Sequence, residues 1–408
     1  MLIMMRNPSI LLLSICIFLI GLGYSLTLPF LPLFGVEKVG MSPLSLGIFL
    51  AVGSLSGIIS STLIGKLSDR KPVRKWIVVC STGSASCGYI FYAFNENYIV
   101  LLIISVTFIS ISFAAFPQLF AIAREFTEKE ASADIPIVMS VLRAQVSLAW
   151  IVGPVLASFL IHNFDYQGLF LVVSAMYLLV AVFVMFFQVQ ERKELAPTLE
   201  QSLNTITKFK SVLMAPQVIF SLMAFIAFEI ANTMGGIITP LYVTQNLDGR
   251  EFDIGIIAGT NAALQVPIMV ALGLMAKRYG STNLMNYAGL FGVAYFALLM
   301  LTKSTLHIIA LQIFSAIFIA IVLGIGMTFF QDLLYKQIGT ATTLYNNANI
   351  LGSMGGGLLA GFVGQYYGYK EVMLASVLLS LLGFALLNLS TAKNKTRLRV
   401  AEGEQYES

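Results

Sequence analysis

Charge is scarce in this sequence. Asp, Glu, Lys and Arg make up 11% of its 408 residues, against about 25% in soluble globular chains. Hydrophobic residues make up 58%, so the chain reads as an integral membrane protein. Cysteine is scarce as well. Cys16, Cys80 and Cys87 all lie in apolar runs, which excludes a disulfide framework. The two histidines, His162 and His307, fall near outer helix ends rather than at membrane depth. No HExxH, CxxC or GxSxG pattern occurs, and no His/Asp or Ser/Lys pair sits within an apolar run. These gaps argue against an enzyme, a bound metal or a cofactor. The net charge of +4 is confined to loops and tail, which argues against nucleic-acid binding.

What the sequence does have is long apolar runs. A bilayer core about 30 Å thick needs about 20 apolar residues per helix. Twelve runs qualify, at roughly 9–34, 43–64, 76–94, 98–123, 135–161, 167–189, 215–245, 253–276, 283–302, 305–330, 339–366 and 370–390. The first continues to Leu31 with no small-residue cleavage site, so it reads as a retained helix rather than a signal peptide. Residues 191–214 form the longest polar stretch. They divide the chain into 1–190, a first six-helix bundle, and 215–392, a second, with a tail at 393–408. With both termini on the cytoplasmic side, inner segments hold 19 Lys and Arg and outer loops hold 4. That asymmetry fixes the expected orientation in the cytoplasmic membrane.

The halves repeat. Pro32-Leu33-Phe34 matches Pro240-Leu241-Tyr242 at an offset of 208, and Leu156-Ala157-Ser158-Phe159 matches Leu359-Ala360-Gly361-Phe362 at 203. Residues 65–75, between the second and third runs, read Gly-Lys-Leu-Ser-Asp-Arg-Lys-Pro-Val-Arg-Lys, five of the eleven basic. Gly65, Asp69, Arg70 and Arg74 in this inner loop resemble the loop signature of the major facilitator superfamily. The resemblance implies two pseudo-symmetric six-helix bundles, a substrate site near the midplane between them, and a gating role for the loop.

Polar residues within apolar runs are costly, about 2.5–3.5 kcal/mol for a charge at a helix centre, and so mark function. Arg143 lies about two turns into the fifth run, with Ser147, Trp150 and Pro154 on its face. Glu229 lies near the middle of the seventh, with Asn232 and Thr233 on its face. Asn261 and Gln265 follow at i and i+4, and Tyr345, Asn346 and Asn349 crowd the eleventh run. Amides, an Arg and aromatic rings suit a polyhydroxylated ligand. The competing reading is that the amides are glue between helices.

Residues 117–125 and 142–154, with 330–334 and 341–347, resemble the bacterial sugar efflux transporter family within that superfamily. The resemblance implies a monomeric secondary transporter that exports sugars or small glycosides by proton antiport. In that family the position of Gln265 can be a carboxylate; an amide cannot titrate, so Glu229 is the expected proton-coupling residue. The expected substrate set is Tyr24, Gln118, Arg143, Gln145, Trp150, Asn232, Asn261, Gln265, Tyr345, Asn346 and Asn349. A multidrug exporter is the alternative, although such proteins favour an apolar aromatic cavity with an acidic residue, and the amide-rich faces here argue for a polyol. A membrane sugar sensor is more remote, because the tail is too short for an output domain.

Overall fold

In a bilayer every backbone amide and carbonyl needs an internal partner, which leaves helices or closed barrels. The computed structural model describes residues 8–70, 73–130, 135–187, 216–335 and 337–406, and these contain helices and no strand. In chain order the long helices are α1 (Pro8–Thr27), α2 (Pro43–Arg70), α3 (Arg74–Ala93), α4 (Tyr98–Glu128), α5 (Ile135–Phe186) and α6 (Pro216–Asn246). Then come α7 (Glu251–Tyr279), α8 (Ser281–Met300), α9 (Thr305–Leu333), α10 (Ile338–Tyr366) and α11 (Tyr369–Tyr406).

Twelve spans are expected from the sequence. Among the described residues, 9 helices are long and apolar enough to cross a membrane. Two things separate these numbers. The helix α5 is two helices joined at Asp165, whose backbone turns through φ 57° and ψ −177°. The helices α3 and α10 fall short in apolarity. Arg74 and Lys75 open α3 and Ser81, Thr82, Ser84 and Ser86 dilute it, while Asn346, Asn347 and Asn349 dilute α10.

The turn at Asp165 is held by its own side chain. Oδ1 accepts the Tyr166 amide at 2.7 Å, and Oδ2 accepts Lys38 Nζ at 2.5 Å. These bonds offset a positive-φ backbone, a sparsely populated conformation that costs an L-residue about 1–3 kcal/mol. Asn97 caps α4 by accepting the amides of Ile99 and Val100. A π-turn interrupts α4 at Ser105–Ile109, and another interrupts α9 at Ala320–Ile325. A π-turn leaves a carbonyl without its usual amide, and hydroxyls from a neighbouring helix supply donors. Ser84 Oγ donates to the Phe108 carbonyl at 2.9 Å, and Tyr345 Oη donates to that of Leu323 at 3.2 Å.

The chain falls into two compact units. The first joins Met1–Ala196 to Pro240–Ala263; the second joins Pro197–Thr239 to Leu264–Ser408. In the first unit α1 packs on α5 through small residues. A Cβ on Gly153 would lie 2.7 Å from Ser25 Cβ, and one on Gly21 would lie 3.3 Å from Ala149 Cβ. Close approach lets Ser25 Oγ donate to the Ala149 carbonyl at 2.8 Å. Tyr89, Tyr92, Phe34, Phe170 and Tyr177 fill the space beside them, with ring centroids 4.8–6.3 Å apart. The start of α7 joins this unit because glycine again permits contact: a Cβ on Gly255 would meet the Pro154 carbonyl oxygen at 2.7 Å.

In the second unit α6 packs on α10 in the same manner. A Cβ on Gly356 would lie 2.5 Å from Thr233 Cβ, and one on Gly352 would overlap the Cβ of Glu229. Adding the two sequence offsets turns Ser25 into Thr233 and Gly153 into Gly356. It also turns the pair Gly21 and Ala149 into Glu229 and Gly352. The repeat read from short motifs is therefore a repeat of contacts. The difference is that the second half places a carboxylate where the first has glycine.

Candidate functional site

Two clusters hold most of the chemistry, one in each unit. The first is a cavity of about 590 Å³ lined by Phe116, Pro117, Phe120, Ala121, Arg124, Met139, Arg143, Val146 and Ser147. Its geometry follows from helix periodicity. Phe116, Phe120 and Arg124 recur at i, i+4 and i+8 on α4, and Met139, Arg143 and Ser147 recur likewise on α5. Phe116 and Phe120 lie 5.0 Å apart, and Tyr24 meets Phe116 edge-on at 6.4 Å. The cavity thus has aromatic walls and two guanidinium groups.

Of the expected substrate residues, Arg143 lines this cavity. Gln118 lies on the neighbouring face of α4, 8% exposed, with its Oε1 unpartnered. Gln145 and Trp150 are half-buried on α5 and do not line it. Arg124, Phe116, Phe120 and Met139 are missing from the expected set. The signal that finds them is the four-residue spacing on α4. It is hidden because Arg124 also counts among the basic residues that fix orientation.

Electrostatically the cavity is cationic. Arg124 Nε donates to Glu128 Oε1 at 3.0 Å, both groups being well exposed. Such a pair is worth about 0–1 kcal/mol. Glu125, one residue further along α4, turns away and pairs with Arg74 at the start of α3, where both side chains are largely buried. Among the described residues no carboxylate pairs with Arg143. Arg74 of the expected gate motif therefore ties α3 to α4. Gly65 stands in open space on α2. The side chains of Asp69 and Arg70, like residues 71–72 and the central stretch 191–214, lie outside the described residues.

The second cluster joins α6 to α10. Glu229 is 3% exposed, and its Oε1 has no partner. Asn232 hydrogen-bonds the carboxyl, and Tyr345 hydrogen-bonds Asn349 within electrostatic reach of it. Gly352 makes the room: a larger residue there would force α6 and α10 apart or push Glu229 out of the interface. Four expected residues, Glu229, Asn232, Tyr345 and Asn349, thus come together. Asn346 is exposed on α10. Asn261 and Gln265 are half-buried on α7, each engaged with a neighbour, and fall in different units.

At the other end of the first unit, charges gather around the Asp165 turn. The bond from Lys38 to Asp165 holds the ammonium above its usual range. Glu37 hydrogen-bonds Thr244. Its carboxyl is nevertheless held above the usual range, first by burial and then by the charge of Glu251. Among the described residues no group of three or more His, Cys, Asp or Glu side chains could hold a metal.

Comparison with known proteins gives a family. The model of the Major Facilitator Superfamily matches residues 13–356 and 230–405. Sugar efflux transporter A of Escherichia coli is 32% identical over 381 residues, which is 93% of this chain and 94% of that protein. Sugar efflux transporter A of Dickeya chrysanthemi is 34% identical over 360 residues, covering 86% of this chain and 88% of that protein. Among solved structures, the nucleoside transporter NupG superposes with a TM-score of 0.78 at 15% identity, covering 95% of this chain and 99% of NupG. At that identity the likeness concerns the fold.

Proposed function

Because the chain belongs to the Major Facilitator Superfamily, as a multi-pass membrane protein most like its sugar efflux transporters, we propose that it exports sugars or small glycosides. It is a transporter and not an enzyme. Both termini lie in the cytoplasm, the chain works as a monomer in the cytoplasmic membrane, and transport proceeds by alternating access. The observation that carries the reading is the cavity on α4 and α5. Its volume of about 590 Å³ falls within the range of about 300–1,000 Å³ typical of small-molecule sites. Phenyl rings can cover the apolar face of a pyranose, while guanidinium and hydroxyl groups bond its rim.

Export against a gradient needs a driving ion. Glu229 is buried, has one unpartnered oxygen, and has an amide donor on the other side. Such a carboxyl can take up a proton as an O–H group and return it when water reaches the site. We assign it the role of proton carrier in an antiport. In the first unit we assign bonds to the sugar to Arg143 on α5.

The test is counterflow in proteoliposomes with labelled mono- and disaccharides and one cationic dye. Exchange of at least one sugar is expected, with the dye excluded. Exchange of the dye alone would make the protein a drug exporter. In the same vesicles Glu229→Gln is expected to keep sugar exchange and to lose sugar-driven proton movement. Proton movement that survives in this variant with an unchanged pH dependence would place the carrier elsewhere.

A further inference from the structure

The geometry points to a sugar that carries an oxyanion, a carboxylate or a phosphate, as the ligand of the α4–α5 cavity. This rests on the sugar-transport reading and narrows it. The observation is that two cations share one small apolar-walled cavity. Arg124 and Arg143 both line it, beside Phe116, Phe120, Pro117, Met139 and Val146. Their placement follows from chain direction. Arg124 lies four residues before Glu128, where α4 ends, and Arg143 lies eight residues after Ile135, where α5 begins. At 1.5 Å per residue they sit about 6 Å and about 12 Å from the same end of the helix pair.

Among the described residues the acidic groups leave the cavity positive. Glu128 reaches Arg124 from the next turn, on an exposed surface. Glu125 is committed to Arg74. Arg143 has no carboxylate among the described residues. A neutral hydroxyl can accept from a guanidinium but leaves its charge in place. An oxyanion accepts two parallel N–H bonds and cancels charge in a site walled by hydrocarbon. Two guanidinium groups lining one cavity favour an anionic occupant over a neutral one. To a plain polyol the second arginine offers only further hydrogen-bond donors, whereas to an oxyanion it also offers charge.

Charge-assisted bonds are roughly twice as strong as neutral ones, and the difference for one such bond corresponds to about tenfold in affinity. The experiment compares glucose, glucuronate and glucose 6-phosphate on the full-length protein. Each is used as a competitor of labelled-sugar counterflow and, separately, as a ligand in thermal unfolding of the detergent-purified protein. Binding to the native state raises the midpoint with concentration.

At least one anion is expected to act at about one-tenth the concentration of glucose in both measurements. The carboxylate and phosphate arms show which group the site takes. Raising salt from about 0.05 to 0.5 M should erode the advantage. Arg124→Gln should reduce it, and Arg124→Lys should restore part of it, since lysine keeps charge but not the fork. Glucose equal to or better than both anions in the unfolding assay would overturn the proposal, as would an anion advantage that Arg124→Gln leaves intact. Anion-dependent stabilisation without counterflow of any sugar would instead overturn the transport reading and leave the anion site standing.

Discussion

The interlock of α6 with α10 at Glu229 and Gly352 sets up a strong test. In Gly352→Ala the new Cβ would overlap the Cβ of Glu229 and come within 3.3 Å of its Cα and carbonyl carbon. Carbon atoms rest at about 3.5–4.0 Å, so the two helices must part by roughly an ångström or Glu229 must leave the interface. Overpacking of this kind costs about 1–3 kcal/mol. Replacing a helical glycine by alanine returns up to about 1 kcal/mol. The net expectation is a loss of about 1–2 kcal/mol, a fall of a few degrees in melting temperature for a unit of this size. The same substitution at Gly273, where a Cβ meets nothing within 4 Å, should be neutral or mildly stabilising. The decisive variant is the pair Glu229→Gly with Gly352→Ala, which reproduces the Gly21 and Ala149 contact of the first unit. It should regain most of what Gly352→Ala loses, with a coupling of about 1–2 kcal/mol in a double-mutant cycle. Thermal unfolding in detergent, followed by circular dichroism, measures all four corners. If the pair melts no higher than Gly352→Ala alone, the steric account of this contact is wrong.

Three further outcomes are expected. Arg143→Ala should abolish most sugar exchange at normal membrane abundance, since its loss strands no buried carboxylate; reduced abundance with full turnover per molecule would make the residue structural. Asp69→Asn should cut transport while the protein still inserts, because a carboxylate in this inner loop is expected to bind a helix N-terminus with about 0.3–1 kcal/mol; wild-type flux at equal abundance contradicts that. Glu37→Gln should flatten the pH dependence of thermal stability. The folded-state pKa of Glu37 is raised by burial and by Glu251, so its contribution is full below the ordinary carboxylate range and fades as pH climbs through the raised value. Unfolding midpoints between about pH 4 and pH 8, compared with wild type, check the sign. A slope shared by both proteins would mean that another group sets it.

Much of this architecture is legible in the sequence because the bilayer leaves few options. Apolar runs mark the helices, basic residues mark an end, and two three- to four-residue matches give offsets that land on interhelical contacts. The candidate cavity is less legible. Arg143 stands out as a charge inside an apolar run. Arg124 does not, because its place near a helix end gives it a second explanation, and only its register with Phe116 and Phe120 shows which way it points. The amides behave similarly. Asn232 and Asn349 join Glu229, whereas Gln145 and Asn346 share their composition and not their surroundings, a distinction made by rotation about the helix axis. The shortfall in apolar helices has a comparable cause. The asparagines of α10 that suggest a binding surface are the residues that weaken its membrane signal.

The duplicated contacts also give this chain a control that most proteins lack. Ser25 with Gly153 and Thr233 with Gly356 are the same joint built twice, once in each unit. A methyl group added at Gly153 and then at Gly356 probes one steric question in two settings, only one of which has a carboxylate a turn away. Whatever the two variants lose in common belongs to the scaffold. Whatever the second loses alone belongs to the chemistry around Glu229, so transport defects can be separated from folding defects inside a single polypeptide.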